Sequence, residues 1–156
     1  MTSNDTKVVT MKISTKGRYG VRAALELSLR YGSGPVMVRE ISESQEISER
    51  YLEQILNTLR TSGLVNSIRG AKGGYKLAKS PSEITLGDIL RSLEGPLDVV
   101  SCTGNYECGR MAECAAFDVW KEIKEKIENV LDSITFEELV KRQNKLTYQE
   151  LIEYTI

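Results

Sequence analysis

The feature that most constrains the fold of this chain is an amphipathic segment followed at once by a short hairpin pattern. In SERYLEQILNTLRTSG, which begins at Ser48, apolar residues fall at the spacing of one helix face. These residues are Leu52, Ile55, Leu56 and Leu59. Ser48 is a favoured N-cap residue, and Gly63 is a favoured residue just after a helix end. The pattern predicts a helix with one buried face and one polar face.

Two further helices are predicted before this one. The segment STKGRYGVRAALELSLRYGSGP can start at Ser14 or Thr15 and stop at its glycines and proline. Its predicted apolar stripe is Val21, Ala24, Leu25 and Leu29. A short helix over residues 38–44 and a tight turn over 45–47 follow. Helix, turn and helix in this order predict a helix-turn-helix.

Two short strands are predicted after the polar-faced helix. Residues 64–69 and 74–78 each alternate apolar and polar side chains, as half-buried strands do. Between them, GAKG is a turn punctuated by glycine. Three helices and a hairpin are the order of a winged helix-turn-helix, so residues 11–80 are expected to bind nucleic acid. The expected fold class is mainly α with a small β-hairpin wing.

The remaining chain is predicted to be helical on both sides of a cysteine-containing loop. Thr85 and Asp88 in TLGDILRSLEGP form a candidate capping box. A long helix is predicted from after the last cysteine to about Asp132, with a heptad spacing of apolar residues. The members of this seam are Ala116, Trp120, Ile123, Ile127, Val130 and Ile134. Thr135 and Glu138 fit the cap of a last, short helix.

Four regions are expected from these patterns. They are a flexible tail over 1–10, the winged helix-turn-helix over 11–80, a linking helix and cysteine loop over 81–114, and a dimerisation helix with a C-terminal segment over 115–156. Too little chain remains to cover the heptad seam, so we expect a second copy to cover it. Such a homodimer, joined through its long helices, would bind the two half-sites of a near-palindromic double-stranded DNA operator.

Charge and side-chain type point to the DNA-binding surface. Residues 11–80 have 12 Lys and Arg against 6 Asp and Glu, whereas residues 81–156 have 8 against 15. A basic region suits a polyanion, and arginine, glutamine and asparagine on one helix face are base-reading types. The predicted DNA-binding residues are Ser48, Arg50, Glu53, Gln54, Asn57 and, on the wing, Arg69 and Lys72. The alternative for these residues is an ordinary solvated helix face. A separate alternative for the whole chain is an adaptor that binds protein and no DNA.

What the chain lacks disfavours other classes of function. It has no histidine, no C-x-x-C and no glycine motif of the phosphate-binding kind, so an enzyme is not expected. Its opening, MTSNDTKVVT, lacks the apolar run of a signal peptide. No stretch approaches the length of a membrane span. We therefore expect a cytoplasmic protein without a membrane partner.

All three cysteines, Cys102, Cys108 and Cys114, lie in one polar loop with five residues in each gap. In the cytoplasm, clustered cysteines more often bind metal or do redox chemistry than form disulfides. Thiolates suit zinc, copper(I) and iron–sulfur clusters, and structural zinc usually has one pair at shorter spacing. An iron–sulfur cluster is therefore favoured, with zinc binding and a thiol switch left open. Three cysteines that are merely buried fit a polar loop less well.

Several segments carry a specific resemblance to a known family. MKISTKGRYGVRAALELS, the YLEQ and L-R-x-x-G-L-V motifs, R-G-x-x-G-G-Y and the C-x5-C-x5-C loop resemble the Rrf family of winged-helix regulators, over residues 11–144. Within the family, the closest likeness is to its iron–sulfur cluster regulator. The resemblance implies a homodimeric transcription factor, expected here as a repressor, that controls cluster-assembly genes. It also implies a [2Fe-2S] cluster in each subunit, with [4Fe-4S] left open.

The resemblance further implies roles for individual residues. Cys102, Cys108 and Cys114 would be cluster ligands, and the helix around Ser48, including Glu53 and Gln54, would read the major groove. Arg69 would enter the minor groove, and the helix after Cys114 would pair the subunits. A thiol-based, nitric-oxide-responsive or zinc-binding regulator on the same fold is the alternative function.

The chain departs from the family pattern at the fourth cluster ligand. The family's cluster regulators commonly have a histidine three residues after the last cysteine, where this chain has Phe117. A related nitric-oxide sensor uses an aspartate near the N-terminus, and the corresponding position here is Arg18. The fourth ligand is therefore unknown. Candidates are a small thiol, water, a partner carboxylate, or the carboxylates of Glu107, Glu113 and Asp118.

Overall fold

The computed structural model describes residues 12–104 and 108–155 of the 156-residue chain. The helices in these ranges are α1 (Thr15–Leu29), α2 (Val38–Gln45), α3 (Glu49–Thr61), α4 (Leu86–Glu94), α5 (Ala115–Ser133) and α6 (Phe136–Glu153). The strands are β1 (Val65–Ile68) and β2 (Gly74–Leu77), and short 3-10 turns lie at Pro81–Glu83, Ser101–Thr103 and Met111–Glu113. The predicted fold class, mainly α with a hairpin wing, is confirmed.

Helix α1 begins where the sequence predicts, and Ala24, Val21 and Leu25 of the predicted stripe lie in or against the core. The Ser14 hydroxyl accepts a hydrogen bond from the Gly17 amide, so Ser14 is the N-cap. The buried residues are Gly17, Gly20, Ala23, Ala24, Glu26, Leu27 and Ser28. The predicted stripe is wrong at Leu29, which is 38% exposed. A stripe predicted from large apolar side chains leaves out glycine. Gly20 nevertheless packs closely on α4, because a Cβ at that position would lie only 2.0 Å from Leu93 Cδ1.

The close approach of α1 to α4 is fixed by a polar contact as well as by glycine. The backbone amide and the hydroxyl of Ser14 both donate to Glu94 Oε1, at 2.8 and 2.5 Å. A Cβ on Gly17 would come within 2.2 Å of the same oxygen. Since α4 leads directly into the cysteine loop, this contact connects the start of the winged helix to that loop.

The hairpin has the predicted position and is one residue shorter at most of its ends. Val65 pairs with Leu77 and Ile68 with Gly74 in an antiparallel register. The segment before α2 adds a third short partner, because Val36 and Tyr75 exchange two backbone hydrogen bonds of 2.8 Å. The wing is thereby attached to the helix-turn-helix at its base.

One hydrophobic core joins the winged helix to the C-terminal half. Its buried members include Leu27, Ile41, Leu52, Ile55, Leu59, Leu77, Ile89 and Phe136. The start of α6 is held there by the backbone amide of Phe136, which donates to the Ile84 carbonyl at 2.9 Å. The core therefore spans the sequence boundary at 80/81, and the division of the chain into regions stays a prediction.

The last helix is longer than the sequence predicts. Thr135 caps α6 as expected, accepting a hydrogen bond from the Glu138 amide at 3.3 Å. The helix then runs for 18 residues, so a short final helix is wrong. Glu137 with Lys141 and Glu138 with Arg142 form ion pairs at i,i+4, which favour its extension. In the part of the chain that the structure describes, no helix is both long and apolar enough to cross a membrane.

Candidate nucleic-acid interface and cysteine loop

Helix α3 separates an apolar face from a polar face as its sequence predicts. Leu52, Ile55, Leu56 and Leu59 are fully buried, and the Ser48 hydroxyl accepts a hydrogen bond from the Tyr51 amide at 3.3 Å. The exposed residues of the opposite side include Arg50, Glu53, Gln54 and Asn57. The helix is anchored by one side only, so the other side is free to enter a groove.

The polar face of α3 holds a further cation that the sequence analysis did not single out. The Arg60 guanidinium donates to Asn57 Oδ1 at 2.7 Å, and both side chains are exposed. The i,i+3 spacing of the two residues is the signal that would have found it. The exposed face of α3 therefore carries an arginine bonded to Asn57.

The wing extends a basic tip beyond the sheet. Arg69 and Lys72 lie in the turn between the strands, and both are exposed. The turn is closed by a backbone hydrogen bond of 3.0 Å from the Gly73 amide to the Gly70 carbonyl. A Cβ on Gly74 would lie 2.3 Å from the Val36 carbonyl oxygen, and Gly74 has a φ of 149°. Glycine at that position therefore lets the wing sit tightly on the helix-turn-helix.

A buried carboxylate in α1 holds the turn between α2 and α3. Glu26 is 6% exposed and accepts hydrogen bonds from Arg30, from the Ser44 hydroxyl at 2.9 Å and from the Gln45 amide at 2.9 Å. Glu46 then turns the chain in the left-handed region with a φ of 53°. This network sets where α3 begins relative to α1, and its bonds to Ser44 and Gln45 join residues too far apart in sequence for a local pattern to encode.

The basic residues at the start of α1 have different surroundings. Arg22 donates to the side-chain oxygen of Gln45 at 3.1 Å and to its carbonyl, and it lies 5.5 Å over the ring of Tyr19. Lys12 and Arg18 are exposed. Arg22 therefore supports the turn of the helix-turn-helix, whereas Lys12 and Arg18 are open to solvent.

The three cysteines line the segment between α4 and α5. Cys102 lies in the 3-10 turn Ser101–Thr103, and Cys114 is the N-cap residue of α5. Cys102, Cys108 and Cys114 are all half-buried free thiols. Across residues 12–104 and 108–155, no three His, Cys, Asp or Glu side chains come together as a group that could hold a metal ion. The loop thus supplies thiol donors without gathering them.

The candidate fourth ligands are placed differently. Glu113 and Asp118 are exposed, and Asp118 lies in the first turn of α5. Phe117, which takes the place of the family's histidine, is half-buried in that same turn. Glu107 lies outside the described residues.

The loop is attached to α5 by a sheltered charge pair. Lys124 Nζ lies 2.6 Å from Asp98 Oδ1 and donates a second hydrogen bond of 2.9 Å to the Thr103 carbonyl. Cys102 is the residue just before that carbonyl. The helix of the predicted dimer interface therefore holds the segment that carries the first cysteine.

The heptad seam of α5 faces outward along most of its length. Trp120 is 38% exposed and Val130 is 57% exposed, while Ile123 and Ile127 are half-buried. Leu131, outside the seam, packs against Leu90 and Leu97, and Ile127 of the seam lies against the same cluster. The chain itself leaves Trp120 and Val130 of the seam exposed.

Comparisons with known proteins agree with this architecture. Residues 13–142 match the sequence model of Rrf2, described as an iron-dependent transcriptional regulator. The chain belongs to the Rrf2 family of transcriptional regulators. Its winged helix is thus the DNA-binding part of a regulator. The family consists of transcriptional regulators, so the protein is not an enzyme.

Two kinds of family member are about equally similar. The regulator CymR of Bacillus subtilis (strain 168) is 45% identical over 83% of this chain and 89% of its own. The solved structure of CymR, called the global cysteine regulator of B. subtilis, has a TM-score of 0.72 at 43% identity and covers 85% of this chain and 98% of its own. The regulator IscR of Serratia proteamaculans (strain 568) is 40% identical over 87% of this chain and 83% of its own. The structure of T. potens IscR has a TM-score of 0.69 at 45% identity, covering 85% and 88%.

Proposed function

We propose that this Rrf2 regulator is a cytoplasmic homodimeric repressor whose DNA binding depends on an iron–sulfur cluster held by Cys102, Cys108 and Cys114. The observation that carries the proposal is the set of three free thiols at even spacing, placed at the entrance of an outward-facing apolar helix. Iron–sulfur cluster-assembly genes are the proposed targets, and a near-palindromic operator is the proposed site.

The donor chemistry of the loop fits such a cluster. Thiolate sulfur is the common ligand of iron–sulfur clusters, and a cluster is larger than a single ion, so it tolerates wide gaps between ligands. In the described residues the thiols do not form a group that could hold a single metal ion, which agrees with ligands spaced for a larger cluster. A bound cluster would supply an iron- and oxidant-sensitive centre. A [2Fe-2S] cluster is proposed, with [4Fe-4S] as the alternative.

The DNA contacts are proposed from the exposed side of α3 and from the wing. Arg50, Glu53, Gln54 and Asn57 face outward on a helix whose other side is fully buried. We assign base-edge contacts to these residues and a contact with the DNA phosphate backbone to Ser48 at the helix N-terminus. Arg69 and Lys72 are assigned DNA contacts made by the wing.

Dimerisation is proposed through α5. A cluster of exposed apolar side chains on a soluble domain marks an interaction surface, and this one has the spacing of a helix pair. A second copy with the same surface would cover it symmetrically.

The test is an absorption and Mössbauer spectrum of the protein purified without oxygen. The matched control is the variant in which Cys102, Cys108 and Cys114 are all replaced by Ala. Cluster bands in the wild type that are absent from the control would support the proposal, and the Mössbauer parameters would give the nuclearity. A colourless, iron-free wild type that cannot be reconstituted with iron and sulfide would refute it.

A thiol-responsive regulator is the second candidate. It is favoured by the separation of the cysteines in the described residues and by the similarity to CymR, a cysteine regulator. In this case iron-free protein would change its DNA affinity on treatment with hydrogen peroxide, and the change would be reversed by dithiothreitol. The same treatment of the triple Cys→Ala variant should then have no effect.

A further inference from the structure

The ion pair between Asp98 and Lys124 is well shielded from solvent although it lies beside a surface loop. The side chains are 14% and 22% exposed. Lys126 and Glu122, on the same helix α5, have an equally short distance of 2.6 Å but side chains that are 73% and 63% exposed. A charge pair taken from water contributes little to stability unless further bonds compensate its desolvation. Its sheltered position therefore points to a role in fixing geometry.

The contacts of Lys124 hold the chain on both sides of Cys102. The Lys124 ammonium donates to the carboxylate of Asp98, before Cys102, and to the carbonyl of Thr103, after it. Asp98 also fills the space beside Gly104, where a Cβ would lie only 2.4 Å from its Oδ2. The Thr103 hydroxyl donates to the Val100 carbonyl at 2.8 Å and tightens the same turn. Cys102 cannot move far without breaking a contact to α5.

We propose that Lys124 and Asp98 are positioning residues that hold Cys102 for cluster ligation and transmit movement of the loop to the dimer helix. This inference rests on the proposed function and adds the part of the molecule that regulates it. Lys124 follows Ile123 of the outward-facing apolar seam, so a shift at Cys102 reaches the subunit interface through one residue.

The first test measures thiol reactivity in cluster-free protein. Lys124→Met and Asp98→Asn remove the pair, Lys124→Arg keeps a cation, and Lys126→Met is the matched control on the same helix. Alkylation of Cys102 by iodoacetamide is followed by mass spectrometry. We expect it to be roughly tenfold faster in the first two variants, because the charged hydrogen bonds that hold the loop against α5 are lost. Lys126→Met should match the wild type, and Lys124→Arg should restore most of the protection.

The second test measures the cluster itself. After reconstitution with ferrous iron and sulfide without oxygen, each variant is exposed to air while its visible absorption and circular dichroism are followed. Lys124→Met and Asp98→Asn should lose the absorption roughly tenfold faster than wild type, since a free loop exposes its ligands more often. Their circular dichroism should also differ, whereas Lys126→Met should be unchanged.

Thermal unfolding of each variant distinguishes a general loss of stability from a local effect at Cys102. The guanidinium of Arg91 in α4 donates to Asp132 of α5, which raises the pKa of Arg91, and Leu131 packs independently of Lys124. These contacts should keep α4 and α5 together in all variants. Equal alkylation and equal cluster loss in Asp98→Asn, Lys124→Met and wild type would overturn the inference. If the wild type takes up no cluster while alkylation still differs, the proposed function fails and the positioning of Cys102 stands.

Discussion

At the scale of single residues, the proposed DNA-binding surface consists of side chains that do not pack in the core. Gln54 is exposed on α3, and its side chain makes no contribution to the core. Glu26, by contrast, is buried and accepts hydrogen bonds from Arg30 at the end of α1 and from Ser44 and Gln45 at the end of α2. The two residues should therefore respond differently to replacement.

Gln54→Ala should weaken DNA binding while leaving the protein as stable as the wild type. A bidentate contact between an amide side chain and a base is worth about 1–3 kcal/mol, or roughly 5- to 150-fold in affinity. Binding to duplexes selected from a random pool by the wild type would measure this. Gln149→Ala makes the same change at an exposed site on α6 and should have no effect. Equal losses in both variants would contradict the assignment of α3.

Glu26→Ala should lower the free energy of unfolding by about 1–3 kcal/mol, because Ser44 and Gln45 lose their acceptor and Arg30 loses a partner. Denaturant unfolding measures this change, and DNA affinity should fall with it because the start of α3 is no longer fixed. Glu43→Ala removes an exposed pair with Arg39 and should change stability by less than about 0.5 kcal/mol. A Glu26→Ala variant as stable as Glu43→Ala would refute the role of the network.

At the scale of secondary structure, glycine determines how closely elements approach. Gly74 combines a positive φ with a backbone oxygen 2.3 Å from where a Cβ would be. Gly70, at the wing tip, also has a positive φ but open space around it. The wing can thus be tested by substituting two glycines that both have positive φ but differ in crowding.

Gly70→Ala should cost about 1–2 kcal/mol of stability, the cost of a left-handed backbone conformation with a side chain. Gly74→Ala should cost more, about 2–4 kcal/mol, because strain and a backbone clash occur together. Thermal or denaturant unfolding would measure both, with Gly109→Ala, which has neither problem, as the neutral control. The account of the wing fails if Gly74→Ala proves no more destabilising than Gly70→Ala.

Elements with local signals were predictable, and contacts between distant residues were not. The buried stripe of α3, the Thr85–Asp88 capping box and the hairpin follow from spacing and turn residues within a few positions, and the structure has all three. The packing of Gly20 on Leu93 and the pair of Asp98 with Lys124 join residues far apart in sequence, so no local pattern encodes them. The length of α6 was missed because its last turns contain threonine and tyrosine, which have weak helix preference.

At the scale of the whole molecule, the proposed function couples the cysteine loop to the DNA-binding region. The apolar seam of α5 is open in one chain, and the cysteine loop lies between that seam and α4. Helix α4 in turn is bonded to the start of α1 through Glu94. In the proposed mechanism, a change at the loop reaches both the proposed dimer interface and the DNA-binding region through direct contacts.

Trp120→Glu should convert the protein to a monomer, because a carboxylate would be buried without a partner in the proposed α5 interface. Sedimentation velocity measures the change, and affinity for a two-half-site duplex should fall by at least about tenfold as the second recognition helix is lost. Asn129→Glu introduces the same charge at an exposed polar position of α5 and should remain dimeric. A dimeric Trp120→Glu protein would place the interface elsewhere.

The most direct test of the central claim is the affinity of cluster-loaded and cluster-free protein for the same selected duplex, measured side by side without oxygen. Coupling between two sites typically amounts to about 5- to 150-fold in affinity, so we predict a difference of at least about fivefold that is absent from the triple Cys102, Cys108 and Cys114→Ala variant. Identical affinities of the loaded and cluster-free wild type for every selected duplex would contradict a cluster-dependent regulator.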